Sequence, residues 1–142
     1  MVAEAFALER PARDDLNQVA TRADLSAPLV SLFFKLAARW GLSQSEQMRV
    51  LGGVSRQTLH NWATGKVPTL ARDQIERLSL LLGIHKALRL IFSEDEAARR
   101  WFDSANRDAP FGGVPPRALA TRGGIGDLVV VRAYLDAWRG VR

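Results

Sequence analysis

The stretch that decides the fold is Leu42–Gly65, LSQSEQMRVLGGVSRQTLHNWATG. It begins with Ser43-Gln-Ser-Glu46, a capping box in which the Ser43 hydroxyl and the Glu46 carboxylate each satisfy a free amide of the other's turn. That pairing starts a short helix over Gln44 to about Leu51. Gly52-Gly53 ends it, because tandem glycines accept positive φ and let the chain reverse sharply. Ser55 then caps a second helix, Arg56 to about Ala63, with Leu59 and Trp62 on one apolar side and Gly65 as its stop. Two short helices around a tight turn make a helix-turn-helix over Leu42–Ala63, with Leu42, Met48, Val54, Leu59 and Trp62 as its hidden seam.

Working outward, Leu29, Phe33, Leu36 and Trp40 recur at steps of four, three and four. They predict a helix that Ser26 caps, with Pro28 in its permissive first turn and Gly41 at its end. Residues 1–25 carry Pro11 and no sustained period, and read as a mobile arm with at most a helical turn near Asp15–Ala20. On the other side, Leu70, Ile75, Leu78, Leu81 and Leu82 predict a helix over Thr69–Leu82 stopped by Gly83, followed by another over Ile84–Phe92. Ser93-Glu-Asp-Glu96 reads as a second capping box, opening a helix that turns Ala97, Ala98, Trp101 and Phe102 inward. Gly112, Gly113, Pro115, Pro116, Gly123, Gly124 and Gly126 then allow no more than a turn or two at Arg117–Thr121. Asp127 caps a last helix striped by Leu128, Val131, Leu135 and Trp138. No alternation is long enough to build a sheet, so the fold class is all-α. The expected division is an arm at 1–25, a helix-turn-helix domain at 26–92 and a small helical domain at 93–142.

The chain has 142 residues, 47% of them hydrophobic and 25% charged, a balance that supports a buried core. It has no cysteine, which excludes disulfides and thiolate metal sites and suits a reducing, cytoplasmic interior. No run reaches the roughly 18 uncharged apolar residues of a membrane span, and the N-terminus carries acids where an export signal carries bases. Neither membrane insertion nor export is expected.

The net charge of +5 is unevenly placed: residues 1–25 carry −2, residues 26–92 carry +6 from nine bases against three acids, and residues 93–142 carry +1. An excess of positive charge on the helix-turn-helix is what a phosphate backbone requires of the surface that touches it. Ser55, Arg56, Gln57 and Thr58 stand at the N-terminal end of the second helix, where side chains reach base edges in the major groove. Arg56 matches guanine and Gln57 adenine. His60, Asn61 and Lys66 lie further along, better placed for phosphates. Each of these residues could equally be the solvated face of a surface helix; together they form a reading head for operator DNA. Paired half-sites then imply a homodimer.

Other chemistry does not emerge. His60 and His85 are the only histidines and lack metal-ligand spacing with carboxylates, so no metal is expected. Glu94, Asp95 and Glu96 are explained by the preference of acids for a helix start. The glycines after Pro110 include no Gly-Lys-Ser/Thr, and no cofactor cradle is present. An enzyme is not expected.

The whole Leu42–Gly65 segment resembles the helix-turn-helix of Xre (Cro/CI-like) regulators, with a turn one residue longer at Gly52-Gly53-Val54. Downstream, Ile91-Phe92, Ala98, Trp101, Asn106, Phe111-Gly-Gly113, Pro116, Ala118-Leu119 and the run Leu128-x-x-Val131-Arg132-x-Tyr134-Leu135-Asp136-Ala137 resemble the toxin-binding domain of Xre/MbcA/ParS antitoxins. The resemblance implies a partner, a toxin of the RES type that destroys NAD, and a complex that represses its own operon. It also implies that the antitoxin's C-terminal region sits at the toxin's active-site cleft, here the helix Asp127–Arg139 and the tail Gly140-Val141-Arg142. The residues so assigned to the toxin are Trp101, Phe111, Gly112, Gly113, Leu119, Arg132, Tyr134, Leu135, Trp138, Arg139 and Arg142. Either an arginine side chain or a terminal carboxylate at the end of such a tail could enter a cleft built for a charged phosphate ligand. The alternative is a stand-alone regulator whose C-terminal domain dimerises or senses a ligand.

Overall fold

A computed structural model describes residues 18–140. Among these are seven α-helices and no strand: α1 Val19–Trp40, α2 Gln44–Val50, α3 Arg56–Ala63, α4 Arg72–Ile91, α5 Asp95–Asp103, α6 Pro116–Ala120 and α7 Ile125–Trp138. None of the described helices is long and apolar enough to cross a membrane. The expected capping box is present, with the Glu46 amide donating to Ser43 Oγ at 3.1 Å and the Ser43 amide to Glu46 Oε1 at 2.9 Å. Gly41 closes α1 at φ +62°, and Gly52 and Gly53 make the α2–α3 turn at +94° and +86°, backbone angles that favour glycine.

α1 begins at Val19, not Ser26, so seven residues assigned to the arm are helical; Gln18 precedes the helix in extended backbone, and residues 1–17 of the arm lie outside the described residues. Ser26 caps nothing. It is buried within α1, its hydroxyl donating to the Arg22 carbonyl at 2.6 Å and accepting the Leu70 amide at 2.9 Å. Arg22 Nε donates to the Leu70 carbonyl at 3.1 Å, so the first turns of α1 hold both polar groups of one buried residue just before α4. That long-range pairing secures the extension of α1 and carries Pro28 inside the helix rather than in its first turn.

Gly83 does not stop a helix either. α4 runs through it for 20 residues, about 30 Å. It is buried on several sides, by Ile75, Leu78, Leu80, Leu81, Ile84, His85, Ala87 and Leu88, because α1 packs on one flank and α7 on another. A Cβ at Gly83 would lie 1.5 Å from Nη1 of Arg132, whose Nε is fixed at 3.1 Å from both oxygens of Asp136. The missing side chain is thus room for an arginine of α7, a tertiary use that outweighs the helix-breaking tendency of about 1 kcal/mol relative to alanine.

Two further starts differ from expectation. α5 is preceded by Glu94 with no side-chain cap, and Asp95 faces Arg89 at 3.1 Å and Arg39 at 3.6 Å instead, so Ser93–Glu96 is no capping box. α7 begins two residues before Asp127, which pairs with Arg122 at 3.3 Å. Leu128, Val131 and Leu135 are buried as the stripe predicts, but Trp138 is 50% exposed. One hydrophobic core runs through all seven helices, from Leu29 and Phe33 of α1, through α4, to Leu119 of α6 and Leu135 of α7.

Candidate functional site

The helix-turn-helix presents α3 outward. Leu59 and Trp62 are each 5% exposed and anchor it, while Ser55, Arg56, Gln57, His60 and Lys66 are exposed and Thr58 and Asn61 half-buried. Ser55 is committed locally: its hydroxyl accepts the Thr58 amide and donates to Thr58 Oγ1, both at 3.0 Å. Ser55 and Thr58 therefore shape the helix start, leaving free backbone amides there for an anion. Gln57 Nε2 donates to Asn61 Oδ1 at 3.0 Å, which holds the two amide side chains in register along the exposed face.

The charge excess that pointed to DNA has a second use. Of the nine bases in residues 26–92, Arg39, Arg72 and Arg89 are in ion pairs. Arg49 Nε donates to the Thr121 carbonyl at 3.0 Å and Arg77 Nη1 to the Gly123 carbonyl at 2.6 Å. Lys35, Arg56, Lys66 and Lys86 have no ion pair or hydrogen-bond partner among the described residues. Arg56 and Lys66 are the two of these that flank α3. The positive charge open to a phosphate backbone is therefore smaller than the net charge suggests, and half of these uncommitted cations lie at the head, the other two being on α1 and α4.

Arg117, from α6, is the functional neighbour that sequence reasoning missed. It grips Glu46 of the capping box with two hydrogen bonds, Nε to Oε2 at 2.9 Å and Nη2 to Oε1 at 2.7 Å. It also donates to the carbonyls of Trp40 at 2.8 Å and Gly41 at 2.7 Å, and to Asp103 at 3.2 Å. Its paired bonds hold the Glu46 carboxyl at about 2, against burial and with help from the Ser43 amide, and Glu46 with Asp103 raises the arginine's own pKa. Glu46 looked like an ordinary N3 cap; nothing local to it announces a partner 71 residues away.

The residues assigned to a protein partner fall into several groups. Phe111, Leu119 and Leu135 are buried at 4%, 6% and 0%, so a partner meets only the surface built over them. Gly112 and Gly113 are exposed at φ +63° and +101°, and form the turn that closes the loop through Gly113 N–H to the Asn106 carbonyl at 2.8 Å. Arg132 and Arg139 are engaged with Asp136. Trp101, Tyr134 and Trp138 form an aromatic group, with ring centroids 5.9 to 6.2 Å apart, in which Trp138 is exposed and the other two are half-buried. Behind them, Phe111 meets Tyr134 edge-on at 4.9 Å and Phe92 meets Trp138 at 5.7 Å. The Tyr134 hydroxyl donates to Asp108 Oδ2 at 2.7 Å, and that bond to a carboxylate raises the tyrosine's pKa. Arg142 lies outside the described residues.

His85 sits in the core between these regions, 4% exposed, and burial with the charges of Arg39 and Arg89 lowers its pKa to about 4. No group of three or more metal-ligating side chains occurs among the described residues.

Two family descriptions match most of the chain. The antitoxin Xre-like helix-turn-helix domain matches residues 19–83, and the antitoxin Xre/MbcA/ParS C-terminal toxin-binding domain matches residues 87–140. The first match starts at the observed beginning of α1, and the boundary between the two falls inside α4. The chain is also 40% identical over 108 residues to the uncharacterized protein y4oB of Sinorhizobium fredii (strain NBRC 101917 / NGR234), covering 76% of this chain and 81% of that protein.

Proposed function

Because the chain belongs to the Xre/MbcA/ParS family of antitoxins, we propose that it neutralises a RES-type, NAD-degrading toxin and represses its own operon by binding operator DNA as a homodimer. The observation that carries this reading is the division of surface chemistry between the halves. Arg56, Gln57, Asn61 and Lys66 offer cations and amides around one exposed helix, the chemistry of groove and phosphate contact. The C-terminal half offers the exposed Trp138 beside the half-buried Trp101 and Tyr134, and α7, which is followed in the sequence by Arg139-Gly140-Val141-Arg142, the chemistry of a protein interface. In this reading the tail enters the toxin's cleft and blocks the substrate's access to it.

The test is co-expression with a RES-type toxin, taken from beside the chain's own gene if one is encoded there. Leu128, Val131 and Leu135 belong to the common core, so the informative truncation ends at Trp138 and removes only residues 139–142. Loss of protection against NAD depletion, with binding to the upstream operator duplex kept, is the expected result. Full protection by the truncated chain would remove the tail from the mechanism, and absence of any effect of the intact chain on the toxin would remove the antitoxin reading.

A further inference from the structure

Resting on the reading that the C-terminal half binds a protein, we propose that the aromatic cup beside α7 is a receptor for one arginine side chain of that partner. The cup has a volume of about 590 Å³ and is lined by Trp101, Asn106, Asp108, Tyr134, Ala137 and Trp138. Its walls are three rings whose centroids lie about 6 Å apart, and ring faces carry the negative side of the aromatic quadrupole, which attracts a cation. Its rim carries a carboxylate. Asp108 Oδ2 is fixed by the Tyr134 hydroxyl, and its backbone amide donates to Asn106 Oδ1 at 2.9 Å, so the acid is held in place rather than left to swing.

Charge complementarity selects the occupant. Asp95, Asp103, Asp127 and Asp136 of the C-terminal half all face arginines of this chain, whereas Asp108 faces none among the described residues. The nearby Arg139 is turned to Asp136 at 3.5 Å. An apolar side chain would cover the rings but strip water from a carboxylate with no countercharge, which is costly. A guanidinium satisfies both features at once, since its plane stacks on an indole or phenol and its paired N–H groups match a carboxylate; an ammonium does the second less well and cannot stack. The half-exposed Trp138 supplies the large apolar area that such an anchor would cover.

The full chain, titrated with N-acetyl-arginine amide, N-acetyl-citrulline amide and N-acetyl-norleucine amide, tests this directly through its four tryptophan indole N–H signals. The arginine compound should shift Trp101 and Trp138 with millimolar affinity and leave the buried Trp40 and Trp62 in place. Asp108→Asn and Trp138→Ala, both at exposed positions, should each weaken it by about fivefold or more, with Trp101 as the reporter in the second variant. The neutral citrulline compound should bind at least about fivefold more weakly. Equal shifts with citrulline or norleucine would make the cup a polar or apolar groove and overturn the proposal, as would no shift with arginine up to roughly 100 mM. If the arginine probe fails while the truncation ending at Trp138 still loses protection, the receptor assignment falls and the antitoxin reading stands.

Discussion

The reading head and the partner-binding half solve opposite problems with the same helical material. In the head, the groups offered to DNA are arranged by neighbours three or four residues away: Ser55 with Thr58, Gln57 with Asn61, Ser43 with Glu46. In the C-terminal half, the offered surface is assembled across distance, as Tyr134 meets Asp108 and Trp101 meets Trp138 from separate elements. The contrast teaches that a motif made of local contacts can be recognised in isolation but is not built in isolation. Arg117 holds Glu46, and Arg49 and Arg77 hold the carbonyls after α6. The head therefore stands on the half that faces the partner.

The largest expected effect tests whether the two regions are one cooperative unit. Leu135 is fully buried in the C-terminal half, and Leu135→Ala should cost about 2–5 kcal/mol. Calorimetry should show a single lowered transition that takes DNA binding with it; a second transition at the original temperature would show that the head melts alone. Acid should expose the same linkage in two steps. His85 is held neutral, so its contribution is full above the unfolded value of 6.5 and is lost as pH falls toward about 4, by up to about 3 kcal/mol. Glu46 is held ionised, so its contribution is present above 4.5 and lost as pH falls toward about 2. Denaturation midpoints measured from pH 7 to pH 2.5 should fall in both windows, and His85→Leu should flatten only the first.

Next in size, Arg117→Ala should destabilise by about 2–3 kcal/mol, by removing charge-assisted bonds to Glu46 and to two helix-end carbonyls. It should also return the Glu46 titration, followed by carboxyl NMR, to the ordinary range near 4.5. An unmoved Glu46 would refute the clamp. The smallest effects lie on the head's surface. Arg56→Ala and Gln57→Ala should relax sequence preference by about 1–3 kcal/mol at one base each, whereas Lys66→Ala should weaken all duplexes alike and reduce the salt slope by about one. Equal losses with unchanged salt slope in all three would take α3 out of the groove.

Many of the local patterns agree with the structure, although the box at Ser93–Glu96 and the cap at Asp127 do not form. The capping box of α2, the Ser55 cap, the tandem-glycine turn and the buried stripe Leu128, Val131 and Leu135 are all visible as short-range patterns because caps, turns and helical periods are short-range physics. Residues whose partner is remote read wrongly. Ser26 has the chemistry of a cap and serves as a buried bridge to Leu70; Gly83 has the chemistry of a stop and makes room for Arg132. The nine bases of the middle segment looked like one DNA signal, and five of them are committed inside the protein.

The amino-acid sequence by itself determined the all-helical class and the two helices and turn of the reading head, since these rest on periodicity, caps and spacing along the chain, and its motifs carried the resemblance to the family. Tertiary structure alone decided which arginines remain available to a phosphate, which aromatic side chains are core and which are surface, and that the two halves share one core. The physical reason is that burial and pairing depend on what lies across a helix interface, and no residue carries that information in its near neighbours.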